Sequence, residues 1–110
     1  MAKKNLPAYV RTIGKFDAFD FESITVAATA IGFTAATFDP SDAASAQRAV
    51  LSVETAQIRY RYDGTDPTSL IGHILEPGDT LVVDGYTNIN AFKAIRTGAT
   101  SGTIRVTFER

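Results

Sequence analysis

One stretch of this chain, from Val53 to Tyr86, narrows the choice of fold more than any other. It reads VETAQIRYRYDGTDPTSLIGHILEPGDTLVVDGY. Apolar and polar residues alternate, break at DGTDP, resume, break at EPGD, and resume again. A period of two sends neighbouring side chains to opposite faces of a strand. Asp-Gly and Pro-Gly are turn formers, because they supply backbone angles other residues resist. Consecutive antiparallel strands joined by tight turns follow.

The flanking segments extend the pattern. Residues 1–7 read as a flexible arm, since Pro7 cannot donate to a strand ladder. A strand can run over Ala8 to Ile13. Phe16, Phe19 and Phe21 are dense enough to expect core packing, with one ring left for a contact surface. Over Ile24 to Phe38 the β-branched threonines and Gly32 outweigh a helical spacing of apolar residues. Two strands are expected there, Ser23 to Ala28 and Ile31 to Phe38, followed by a loop at DPSDAASA.

From Gln47 onward the alternation is cleaner. Ala49, Leu51 and Val53 share a face, as do Ala56, Ile58, Tyr60 and Tyr62, with Gln57, Arg59 and Arg61 opposite. Leu70 to Leu75 is expected as a short apolar strand, and Leu81 and Val83 belong to the next. Phe92, Ala94 and Ile95 cannot share one face, so a bulge near Ala94 is expected. Ile104, Val106 and Phe108 close the chain, with Thr103, Arg105 and Thr107 outward. The expected fold class is all-β: a single β-sandwich or jelly roll of about eight mostly antiparallel strands spanning 8–110 behind the 1–7 arm. A chain of 110 residues has room for one such two-layer core.

Charge and composition exclude several functions. Eleven basic residues against twelve acidic ones do not steer a chain toward nucleic acid or an anionic membrane. Without cysteine there is no disulfide framework or thiolate metal site, which suits assembly in a reducing cytoplasm. The two N-terminal lysines lack the apolar run of a signal peptide. Val26 to Ala36 is too short and too polar to span a bilayer.

No catalytic constellation assembles. His73 is the one histidine. GHILEPGDTLVVDG resembles the glycine-rich strand pair of cupins but lacks their further histidines, so a metal centre is not expected. Asp63, Asp66 and Asp79 fall in turns without the ligand run of a calcium loop. A nucleophilic serine needs a positioned base, and no such elbow or phosphate-binding loop is present. Arg59, Arg61, Arg96 and Arg105 read as an outward face paired with Glu54, Glu76 or Glu109, or as contacts to a partner. Tyr60 and Tyr62 share a face, which suits burial in the core or in an interface better than a sugar-stacking platform.

The segments RAVLSVET (Arg48 to Thr55), IRYRYDGTDPT (Ile58 to Thr68), GHIL (Gly72 to Leu75), Gly78-Asp79 and FKAIRTG (Phe92 to Gly98) resemble a family of small virion proteins of tailed bacteriophages. The resemblance covers positions 46–110. It implies a non-enzymatic structural component without a cofactor: first a capsid decoration or cement protein, then a tail or head–tail connector component, or a carbohydrate-binding module on a tail or fibre. The implied partners are the major capsid protein or other virion proteins and further copies of the chain, with no nucleic acid or membrane. The implied place is the virion, after synthesis in the host cytoplasm. Lys3, Lys4, Leu6, Tyr9 and Arg11, in and beside the arm, are the expected partner contacts.

Overall fold

The computed structural model describes residues 16–110. Eight strands are paired across two antiparallel four-stranded sheets: β1 (Ala18–Val26), β2 (Ile31–Gly32), β3 (Arg48–Glu54), β4 (Ile58–Arg61), β5 (His73–Leu75), β6 (Thr80–Asp84), β7 (Lys93–Arg96) and β8 (Gly102–Glu109). Two short helices, α1 (Ala35–Phe38) and α2 (Tyr86–Ala91), interrupt them. One sheet has the order β1-β8-β3-β6 and the other β2-β7-β4-β5. The pairs β1·β8, β2·β7, β3·β6 and β4·β5 are those of a long hairpin folded at its middle and rolled up. That is a jelly roll, one way an all-β sandwich limits its open edges.

The core lies between the sheets. Ile24 and Val26 of β1, Ile104, Val106 and Phe108 of β8, Ala49, Leu51 and Val53 of β3, and Val83 of β6 face Ile58, Leu75 and Ala94 of the second sheet and Phe92 just ahead of β7. Alternation sets this inward row in β3, where every second residue is buried. Phe33 stacks on Phe92 at 4.5 Å and meets Phe108 edge-on at 5.4 Å. The described chain also closes on itself at one corner. The Asp17 amide donates to the Arg110 carbonyl at 3.0 Å, and the Arg110 amide returns the bond at 2.9 Å.

Several local expectations are corrected. The strand expected over Ile31 to Phe38 is only Ile31–Gly32, and α1 follows. Phe33 and Phe38 are both buried, and in one strand their odd spacing would send them to opposite faces. A helical turn brings both inward, and Glu22 Oε2 accepts the Thr34 amide at its start. The strand expected over Ser23 to Ala28 runs instead from Ala18 to Val26, and the one expected over Ala8 to Ile13 lies outside the described residues. The strand expected from Leu70 shrinks to His73–Leu75, because the Thr68 carbonyl and hydroxyl both take the Ile71 amide in a turn.

The bulge expected near Ala94 is not there. β7 pairs with β4 in unbroken register from Ile58↔Arg96 to Arg61↔Lys93; Phe92 and Ala94 are both buried two residues apart, and Ile95 simply lies on the other face, half-buried. A register shift occurs in β1 instead, stepping from Ala18↔Glu109 to Asp20↔Phe108 and skipping Phe19. Phe19 then packs against the core from its rim, under the Arg110 guanidinium at 4.1 Å. Phe21 stays outside, 56 % exposed, and Phe16 is half-buried. None of the three rings enters the core proper.

Candidate functional site

The expected contacts Lys3, Lys4, Leu6, Tyr9 and Arg11 lie outside the described residues, as does the 1–7 arm. The described chain begins on the outer face of the first sheet, where the Arg48 guanidinium lies 4.4 Å over the Phe16 ring.

Strand register builds that outer face row by row. One row runs Phe21–Thr107–Val50–Val82 across all four strands. Phe21 and Val82 are exposed at its two ends. The neighbouring row carries Arg105, which donates to Glu54 Oε1 at 3.2 Å and to Ser23 Oγ at 2.8 Å. The row on the other side carries Arg48, whose Nε donates to Asp84 Oδ1 at 2.6 Å. An apolar and β-branched stripe is thus edged by two rows of paired charges. Such a centre and rim is the anatomy of a protein contact surface.

The outer face of the second sheet is partly covered by the chain itself, with Ile74 beside Arg59 left 45 % exposed. The loop 62–72 folds back over it with Pro67 buried. Arg59, expected on a solvated face, holds this loop: its Nη1 donates to the Gly72 carbonyl at 2.8 Å and its Nε to the Ser69 carbonyl at 3.1 Å. Lys93 reaches Asp66 at 3.4 Å from the other side. Gly72 has φ +142°, and a Cβ there would stand 3.0 Å from the Tyr60 carbonyl oxygen, so glycine lets the loop lie this close. The fold leaves Leu70 82 % and Ile71 59 % exposed at the loop's tip. The other expected cations divide similarly. Arg61 pairs with Asp63 and Arg105 with Glu54, while Arg96 bonds Ser101 Oγ.

A third feature opens at the edge of the sandwich. β5 is too short to cover β4 beyond the pair Tyr60↔His73, so the sheets part there. Tyr60, Tyr62, Leu81, Val82, Val83, Asp84 and Asn88 line a cleft of about 240 Å³. Its aromatic wall continues a stack from the interior. Phe33 lies on Phe92, Phe92 on Tyr60 at 5.5 Å, and Tyr60 on Tyr62 at 6.3 Å, with interplanar angles of 4°, 21° and 23°. His73 leans on both tyrosines, at 5.2 and 6.4 Å. Tyr62, expected in the core or in an interface, is outside the core, half exposed as the outermost ring. Burial pushes the Tyr60 phenol above its ordinary value, and the neighbouring Tyr62 adds to this.

The opposite wall is polar. Asp84 Oδ1 is held by Arg48, while Asn88 Nδ2 donates to the Asp84 carbonyl at 3.0 Å. This leaves Asp84 Oδ2 and Asn88 Oδ1 without a hydrogen bond among the described residues. Neither residue was marked by the sequence, where VVDGY reads as the end of a strand and a turn. Among the described residues no group of three or more histidines and carboxylates is placed to hold a metal ion. Comparison of the chain with protein-family models, with curated proteins and with solved structures finds no match.

Proposed function

We propose that this protein is a non-enzymatic structural component of a tailed-bacteriophage virion, a decoration or cement protein that stabilises the assembled head. The resemblance over positions 46–110 suggests the virion. The observation that carries an assembly role is the outer face of the first sheet, where the Phe21–Thr107–Val50–Val82 row is open between two rows of paired charges. A 56 % exposed phenylalanine in a sheet face gains by being covered, at about 25 cal/mol per Å² of apolar surface removed from water. Jelly rolls serve in viral capsids and in lectins alike, so the fold alone does not choose between them.

A cement protein acts by mass action. It binds the assembled lattice and not the separated subunits, so each bound copy shifts the balance toward the closed shell. Repetition over a lattice multiplies modest contacts. The partners in this reading are the major capsid protein and further copies of the chain. A net charge of −1 gives no electrostatic pull toward the packaged nucleic acid or a membrane.

Quantitative mass spectrometry of purified particles tests the reading, together with the heat stability of heads carrying Phe21→Asp protein. A copy number comparable to that of the capsid subunits, with weakened retention of the variant, is expected. A few copies per particle would move the protein to the tail or connector. Its absence from particles would end the virion reading.

A further inference from the structure

The cleft between β4 and β6 borders the far end of the assembly face, sharing Val82 and Asp84 with it, and it is the most chemically differentiated concavity of the described chain. One wall is an aromatic platform, the floor is aliphatic, and the far wall carries hydrogen-bond acceptors. We infer that it binds a neutral pyranose ring, with one apolar face of the sugar on Tyr62 and its hydroxyls toward Asp84 and Asn88.

Three observations select that class of ligand. The first is size. A cleft of about 240 Å³ falls below the ~300 Å³ at which clefts begin to enclose drug-sized molecules, and it suits a single six-membered ring with its substituents. The second is the geometry of the wall. Tyr60 and Tyr62 lie within 23° of parallel, and Phe92 and Phe33 back them in the core. They form a fixed platform whose outermost ring is open. A sugar presents C–H groups on one face and hydroxyls around its rim, so it matches a flat aromatic surface beside polar groups.

The third observation is charge. Asp84 is the one carboxylate of the cleft, and its Oδ1 is already engaged by the Arg48 guanidinium at 2.6 Å. The pair brings no net charge to attract a cation, and an anionic ligand would meet the carboxylate. A cation cage would instead need rings set around the ligand and an unneutralised carboxylate. The free acceptors Asp84 Oδ2 and Asn88 Oδ1 suit the donors that sugar hydroxyls supply, and the tyrosine hydroxyls can donate or accept. Arg48 orients Asp84, and the bond from Asn88 Nδ2 to the Asp84 carbonyl fixes the amide, so the polar wall is prearranged. The ring can be a free hexose or the end of a polysaccharide, since both offer the same chemistry.

The test is titration of the ¹⁵N-labelled full chain, followed by NMR. The probes are glucose, galactose and mannose, their trisaccharides maltotriose, galactotriose and mannotriose, and choline as the cationic control. At least one sugar is expected to shift the amides of Tyr62 and of residues 82–88 with millimolar affinity. Tyr62→Ala should weaken that binding about tenfold, and Asn88→Ala should weaken it less. Both residues are exposed, and the dispersion of each variant's spectrum establishes that it is folded. Shifts confined to the cleft with every sugar indicate a single ring. Additional shifts at His73 with trisaccharides indicate a polymer end.

The inference is overturned if no sugar shifts these amides, if the shifts survive Tyr62→Ala, or if choline binds more tightly than every sugar. Phe21→Asp, which addresses the assembly face, should leave sugar binding unchanged, so the two readings fail separately.

Discussion

Gly102 lies directly against Ile58: a Cβ built on the glycine would stand 2.7 Å from Ile58 Cγ2 and 2.9 Å from the Ala56 carbonyl oxygen. This is where the first residue of β8, in one sheet, meets the first residue of β4, in the other. Ile58 is fully buried, and backbone blocks the other approach, so neither neighbour can yield cheaply. Gly102→Ala is expected to destabilise the domain by about 2 kcal/mol through overpacking. That lowers the melting temperature by roughly 10 °C for a chain of this size. A melting curve unchanged from the parent would show that the sheets can part here without cost.

The same contact makes Ile58 intolerant of charge. Ile58→Asp would bury a carboxylate with no cationic partner among the core residues around it. Loss of cooperative unfolding by circular dichroism is expected, and a normal melting curve would contradict the placement of this face in the core.

The turn after β4 carries a pH signature. Arg61 donates from Nε to Asp63 Oδ1 at 3.1 Å and from Nη2 to Oδ2 at 2.6 Å, and these bonds lower the Asp63 carboxyl to about 2. The folded value lies below the unfolded one. The pair's stabilising contribution is therefore complete above about pH 4 and is lost as the pH falls toward about 2. Both groups face water, so salt should weaken the effect. A carboxyl-carbon NMR titration of Asp63 should give its midpoint near 2, and Arg61→Gln should return it toward 3.8.

Leu70 and Ile71 lie exposed and contribute nothing to the core. Changing both to serine is expected to leave stability within about 0.5 kcal/mol of the parent, because exposed side chains away from caps and networks rarely matter more. A larger loss in denaturant melts would mean that the loop tip packs in solution against something that its open position does not provide.

Removing residues 1–11 is expected to leave the melting curve of the domain in place, since among the described residues the buried core runs from Ile24 to Phe108. In the assembly reading it should weaken attachment to heads, because the described chain starts at Phe16 beside the open row of the first sheet. Equal retention of truncated and full-length protein on particles would remove the N-terminal residues from the contact.

Much of the architecture was legible because burial on one side of a strand writes itself as alternation. Ala49, Leu51 and Val53, and later Ile104, Val106 and Phe108, fall where that rule places them. It failed where short helices carry apolar residues inward at another period, as from Phe33 to Phe38 and at Ile89. It failed again at Leu70 and Ile71, where a hydroxyl-anchored turn claims the backbone before a strand can form. The surface sites were less legible. Tyr60 and Tyr62 announce a shared face, but Asp84 and Asn88 reach the same cleft through a strand end and a helix that alternation does not register. Likewise, Phe21 and Val82 join one stripe only through strand pairings between distant parts of the chain.

The reciprocal bonds between Asp17 and Arg110 fix where polypeptide enters and leaves the sandwich. Anything tethered ahead of Asp17 and anything fused behind Arg110 would depart from one corner. In a chain cut back to Asp17, a short linker to Arg110 would make that corner an ordinary loop, so new termini could be opened at the Leu70–Ile71 tip. A circularly permuted chain of that design would display its cargo above the loop 62–72, on the face opposite the open row of the first sheet.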